Sequence, residues 1–246
     1  MEGGTDVDML RALAERLNHP VAAFWDERIN SFYVQNNYPD KSLDSEFERV
    51  EGGFGVTPRD HFKGLSSLLP QLKGLALLDN DGRDRQGAVE GNLQLAYWKR
   101  YEAENYFVTP AVLRRYALEH LAEMELFGGF QAEIDEVLDA LVLEQVFDGT
   151  QADFAAWKQS PPEAVRIVWE AKTQRLKLST LAEEFFRRLA ARVGGSMLLK
   201  KGGLHLLVAI VEPKSIPAEV IEKLDLLHTL FKSAAKPMTA NGPPDA

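Results

Sequence analysis

The sequence predicts an α/β fold, a parallel sheet flanked by helices with a helical subdomain inserted between its parts. Three observations predict it. Leu75-Ala76-Leu77-Leu78 is a short unbroken apolar run that stops abruptly in Asp79-Asn80-Asp81-Gly82, as buried parallel strands do. From Pro110 to about Val193 the apolar spacing is helical throughout. Strand character returns over Leu204 to Val211, ahead of a last helix opened by Pro217.

The elements follow in chain order. Leu10, Leu13, Ala14 and Leu17 lie at i, i+3, i+4, i+7, one helical stripe with Thr5 or Asp6 as its cap. Asn18-His19-Pro20 stops that helix, and Val21 to Trp25 reads as a short strand. Residues 36–60 are rich in Asn, Asp, Gly and Pro and read as a loop or weakly structured insertion. Pro58 to Leu69 reads as a helix with proline in its first turn. Leu75 to Leu78 and Leu93 to Trp98 are strands, the second running into Tyr101-Glu102-Ala103-Glu104-Asn105-Tyr106.

Leu113, Tyr116, Ala117 and His120 then start a helix; Ile134, Val137, Leu138 and Leu141 mark another; Leu178, Leu181, Phe185, Phe186 and Leu189 mark a long one. Val220, Ile221, Leu224, Leu227 and Phe231 share a face of the last helix, and the tail from Lys236 is expected to be disordered. The expected division is an α/β core over 1–108, a helical insertion over 109–194, a closing strand and helix over 195–235, and a tail over 236–246.

With 246 residues the chain can bury a full core without a staple. It has no cysteine, which excludes disulfides, thiolate zinc sites, iron–sulfur clusters and a thiol nucleophile. No apolar run reaches the roughly 18 residues that span a bilayer. The Met1-Glu2-Gly3-Gly4 start has neither a basic nor an apolar leader region, so a soluble, cytoplasmic chain is expected, with no membrane partner. The net charge of −9 argues against coating nucleic acid by bulk electrostatics. Charge is uneven: Glu119 to Asp148 holds nine acids and no Lys or Arg, whereas Lys172 to Lys201 holds eight Lys or Arg and two Glu. These stretches read either as solvated helix faces or as a basic strip facing phosphates near a site.

Two clusters carry candidate chemistry. Glu2-Gly3-Gly4-Thr5-Asp6 precedes an amphipathic helix, and Asp79-Asn80-Asp81-Gly82 follows an apolar strand. Alternate residues leaving a strand put Asp79 and Asp81 on one side. Such a pair can hold a hard divalent cation through oxygen, and Glu2 and Asp6 alongside would add two more carboxylates. Two cations about 4 Å apart are a standard arrangement for phosphodiester cleavage. Taken alone, Asp-x-Asp-Gly is more often a turn. The five histidines show no ligand spacing, no Gly-x-Ser-x-Gly occurs, and Gly52-Gly53-Phe54-Gly55 reads as a flexible loop.

Taken together, Glu2-Gly3-Gly4-Thr5-Asp6 and Leu77-Leu78-Asp79-Asn80-Asp81-Gly82 resemble a TOPRIM domain. Tyr101 to Tyr106, Leu199-Lys200-Lys201-Gly202, Pro217-Ala218-Glu219-Val220 and Lys223-Leu224-Asp225 resemble the TOPRIM half of OLD-family (overcoming-lysogenization-defect) nucleases and related ATPase–TOPRIM proteins. The resemblance covers most of residues 2 to 231. It implies a TOPRIM-like sheet and a Mg²⁺- or Mn²⁺-dependent nuclease acting on DNA, or on RNA. It implies Glu2 as metal ligand or general base, and Asp6, Asp79 and Asp81 as metal ligands. Glu104 matches a Glu-Asn-Tyr motif, as ligand or structural residue. Lys201 or its neighbour Lys200 would stabilise charge on the phosphate, a task suited to a mobile point charge. The family's strand before the Glu-Gly turn and its phosphate-binding loop are not in this sequence. The expectation is therefore a fragment or partner of an ATPase–TOPRIM protein, with a homodimer suggested by relatives. The rival expectation is a non-catalytic module that docks a separate ATPase.

Overall fold

The computed structural model describes residues 4–32, 56–83, 85–122 and 129–234. Glu2, most of the expected loop over 36–60 and the tail over 236–246 lie outside the described residues.

Helix α1 (Gly4–Arg16) forms as its stripe predicts and buries Met9, Leu10, Leu13 and Ala14. Asp6 in its first turn and Arg16 in its last oppose the helix dipole ends. Asn18, at φ +50°, turns the chain out. The next segment corrects an expectation. Pro20–Phe24 is a 3-10 run, not a strand, and Trp25–Arg28 continues it as a short helix, α2. The reason is local: Pro20 sits at the first helical position and His19 Nδ1 accepts the Val21 N–H at 3.3 Å. Helix α3 (Pro58–Leu68) starts as expected, with Thr57 Oγ1 accepting the Asp60 N–H at 3.1 Å.

The sheet has three strands, β1 (Gly74–Leu78), β2 (Ala88–Glu90) and β3 (Leu93–Tyr97), in the order β1-β3-β2. β1 and β3 are parallel, with Leu78 opposite Tyr97. β2 runs antiparallel to β3, so the sheet is mixed rather than all parallel. Gly91-Asn92 joins Glu90 to its partner Leu93, and Gly91 adopts φ +59°, a left-handed conformation that tight hairpins require. Because β1 and β3 are parallel, both deliver their following residues to the same edge, where α/β folds place ligand sites.

The helical stretch forms as predicted: α4 (Pro110–Ala122), α5 (Gln131–Gln145), α6 (Gln151–Lys158), α7 (Pro162–Thr173) and α8 (Leu178–Val193), the last ended by Gly194 at φ +71°. Lys201–Ile210 is a second correction. The expected closing strand is a 3-10 run that buries Leu204, Leu207, Val208 and Ile210. Residues three apart eclipse in that geometry, so Leu204, Leu207 and Ile210 share one side. Helix α9 (Ala218–Ala234) closes the described chain.

One continuous apolar cluster joins Leu13 of α1, Leu77 of β1, Leu113 of α4, Ile134 of α5, Phe185 of α8, Leu207 and Leu224 of α9. The helices of 109–194 thus share a core with the sheet region. Among the described residues no helix is long and apolar enough to cross a membrane.

Candidate functional site

The carboxyl-end edge of the sheet is organised around the turn Tyr101–Tyr106. Its last four residues form a 3-10 turn and are all buried. Three chain segments are bonded to it, and two more act on it electrostatically.

The first is the loop after β1. Asn80 and Asp81 donate their backbone N–H groups to the Tyr101 carbonyl, both at 3.1 Å. Asn80 Nδ2 reaches Lys99 O at 3.3 Å. Asp81 has φ +53° and Gly82 φ +70°, a turn that Asp and Gly tolerate. Asp79 and Asp81 are half-buried there.

The second is the α7–α8 connection. Tyr101 N–H donates to Gln174 O at 3.1 Å, and Asn105 Nδ2 donates to Thr173 O and Leu176 O at 2.8 and 3.0 Å. Glu102, buried, accepts from Ser179 N–H at 2.5 Å and Ser179 Oγ at 3.0 Å. It thereby places a carboxylate on the amino end of α8, where orphan N–H groups and the dipole favour negative charge.

The third segment is α9. Glu219 accepts from the Tyr106 hydroxyl and, at 2.8 Å, from Lys99 N–H. Lys223 Nζ lies 3.8 Å from the same carboxylate. Burial, then the Glu219 carboxylate, hold the Tyr106 hydroxyl above its ordinary pKa. Arg100 stacks over the Tyr106 ring at 4.8 Å and donates to Asn105 O at 2.6 Å.

The fourth and fifth are the first turn of α1 and the start of the Lys201–Ile210 run, which touch where Gly202 faces the Thr5 methyl. Asp6 and Lys201 both act electrostatically on Glu104. Glu104 is buried and its carboxyl is pushed up to about 8, first by burial, then by Glu102 and Asp6, with Lys201 opposing. Burial also raises Glu102, against the Ser179 hydrogen bonds, Lys177 and Lys201.

The sequence-assigned residues therefore sort as follows. Asp6, Glu104 and Lys201 come within electrostatic reach of one another, Lys200 adjoins them, and Asp79 and Asp81 flank the same turn. Glu2 lies outside the described residues. The donors are hard carboxylate oxygens, which suit Mg²⁺ or Mn²⁺. Among the described residues, however, no group of three or more His, Asp or Glu side chains converges to hold a cation.

Sequence reasoning missed Glu102 as the cap of α8 and Glu219 as the anchor of Tyr106. Their partners lie 77 and 113 residues away, and neither pairing has a local signal. The broad basic strip is also resolved. Arg188 pairs with Glu144 at 2.8 Å, Arg192 with Glu136 at 2.6 Å and Arg187 with Glu184 at 2.6 Å. Two acids of α5, Glu136 and Glu144, are thus paired with arginines of α8, while Arg187 is paired within its own helix.

Compared with protein-family profiles, with curated proteins and with solved structures, the chain finds no match.

Proposed function

We propose that this chain is a Mg²⁺- or Mn²⁺-dependent phosphodiesterase acting on DNA or RNA, of the TOPRIM type found in OLD-family nucleases, and that it works as a fragment or partner of an ATPase–TOPRIM protein. One observation carries the reading. The described segments on which the resemblance rests border a single turn: Asn80-Asp81 and Glu219 are hydrogen-bonded to Tyr101–Tyr106, and Asp6 and Lys201 act electrostatically on its Glu104. Segments as far as 113 residues apart have no reason to converge if they are unrelated surface motifs.

In this reading Asp79 and Asp81, and Asp6 and Glu104 with Glu2, hold the metal. The bound metal would supply an activated water and charge neutralisation. Lys201 places a mobile cation where negative charge grows on the phosphate. Glu102, Asn105 and Tyr106 touch no substrate; they fix the turn that carries Glu104.

Supercoiled plasmid incubated with the chain and either metal tests this. Nicking or linearisation that Asp79→Ala/Asp81→Ala abolishes is the expected result, and Glu2→Gln should abolish it too. Intact plasmid with both metals sinks the reading. The second reading, a non-catalytic module that docks an ATPase, is favoured by the missing three-carboxylate group among the described residues. It expects stable association with the ATPase and no metal-dependent cleavage.

A further inference from the structure

The eight cations between Lys172 and Lys201 divide into two sets. Arg187, Arg188 and Arg192 on α8 are tied to glutamates at 2.6 to 2.8 Å, and Lys172 lies over the Phe147 ring at 4.7 Å. Arg175, Lys177, Lys200 and Lys201 are exposed, and none of them forms an ion pair with a described residue. A chain with nine excess negative charges has acids to spare for these four, as it does for α8.

Their placement is not scattered. Arg175 and Lys177 belong to the α7–α8 connection, which is strapped to the Tyr101–Tyr106 turn through Gln174, Thr173 and Leu176. Lys200 and Lys201 begin the 3-10 run beside the amino end of α1. Lys177 and Lys201 both act on buried Glu102, so the two pairs border the same turn. The carboxylate beneath them is committed to the amino end of α8 rather than to them. The result is four exposed cations on two segments bordering one turn, and several separate cations suit a polyanion, which can meet each with a different phosphate, better than a single small anion.

We propose that Arg175, Lys177, Lys200 and Lys201 form a rim that grips the phosphodiester backbone of a nucleic acid, with Arg175 and Lys177 as binding residues outside the motif segments. This rests on the nuclease reading for the identity of the polyanion, but not on cleavage, because the grip needs no metal. Phosphate contacts position without reading sequence, so the rim binds DNA of any sequence and weakens steeply with salt.

Fluorescence anisotropy of a labelled duplex 20-mer in EDTA, over 20–200 mM KCl, reads this directly. Arg175→Ala/Lys177→Ala should lower affinity by roughly five- to tenfold per lost contact near 0.1 M salt, and reduce the log–log salt slope by about 2. Arg175→Lys/Lys177→Arg should restore binding, and Arg187→Ala/Arg192→Ala, which removes paired cations, should leave it within about twofold. Equal losses from both alanine pairs, no loss from the first, or no binding by the wild-type chain at 20 mM KCl overturns the proposal. Equal competition by polyglutamate overturns the nucleic-acid assignment in favour of an acidic protein partner. The Asp79→Ala/Asp81→Ala chain separates the two claims, since it should still bind. Binding without cleavage by the wild type removes the nuclease reading and keeps the rim; cleavage with the rim variants binding normally does the reverse.

Discussion

The α5–α8 face and the Tyr101–Tyr106 turn are both dense in charged and polar groups, yet they are built on opposite terms. On the α5–α8 face Glu144 and Glu184 lie at the surface, and arginines hold both in their charged forms. Glu184, bonded by Arg187 and Arg188, is lowered to about 2, and Arg188 lowers Glu144. At the turn the carboxylates are buried, and burial holds Glu102 and Glu104 upward toward their neutral forms. The difference teaches where fragility sits. An exposed pair can break and be replaced by water, whereas a buried polar group that loses its partner has nothing to replace it.

The sharpest way to break the comparison is at Glu219. Glu219→Ala strands the Tyr106 hydroxyl and the Lys99 N–H in a buried setting. Urea unfolding should show a loss of about 3–5 kcal/mol, the range for removing one partner of a buried charged network. A loss below about 1 kcal/mol would mean the turn is no more demanding than the surface.

Next in size is Glu104→Gln. Its folded carboxyl lies near 8, above the ordinary 4.5. The folded chain thus keeps a proton that the unfolded chain releases between those values, and stability falls as pH rises across that window. In EDTA, the Gln variant should match the wild type below pH 4.5 and exceed it above pH 8, by on the order of 3 kcal/mol. A difference independent of pH would contradict the buried-carboxyl account.

The smallest effect is expected on the other side. Arg188→Ala should cost less than about 1 kcal/mol at pH 7. Because the folded Glu184 value is depressed, the pair's contribution is full above the ordinary carboxylate range. It should fade as the pH falls from about 5 toward 2, when the wild type and Arg188→Ala converge in urea titrations.

The helices and two of the strands were legible because periodicity and terminators agreed. Pro58 at the start of α3, the stripe of α1 and the run Leu75–Leu78 each had one consistent reading. Leu204–Val211 did not, since a short apolar run fits a strand or a buried helical segment equally, and packing against α1, α4 and α8 decided it. Strand β2 was missed although Gly91-Asn92 between Glu90 and Leu93 is a two-residue hairpin signal. The carboxylates of the site stood out as residue types. What each one bonds did not, because the choice between a ligand and a helix cap at Glu102 is made by Ser179, 77 residues on.

The bond from Glu219 to Tyr106 also has a consequence in time. A ribosome releases the chain from its amino end, so Tyr106 and Lys99 emerge long before α9 does. During that interval the turn can fasten to the α7–α8 connection, but its hydroxyl and amide must stay with water. The site region therefore finishes folding only when residue 219 arrives, and the nascent chain carries the turn's carboxylates unsealed until then.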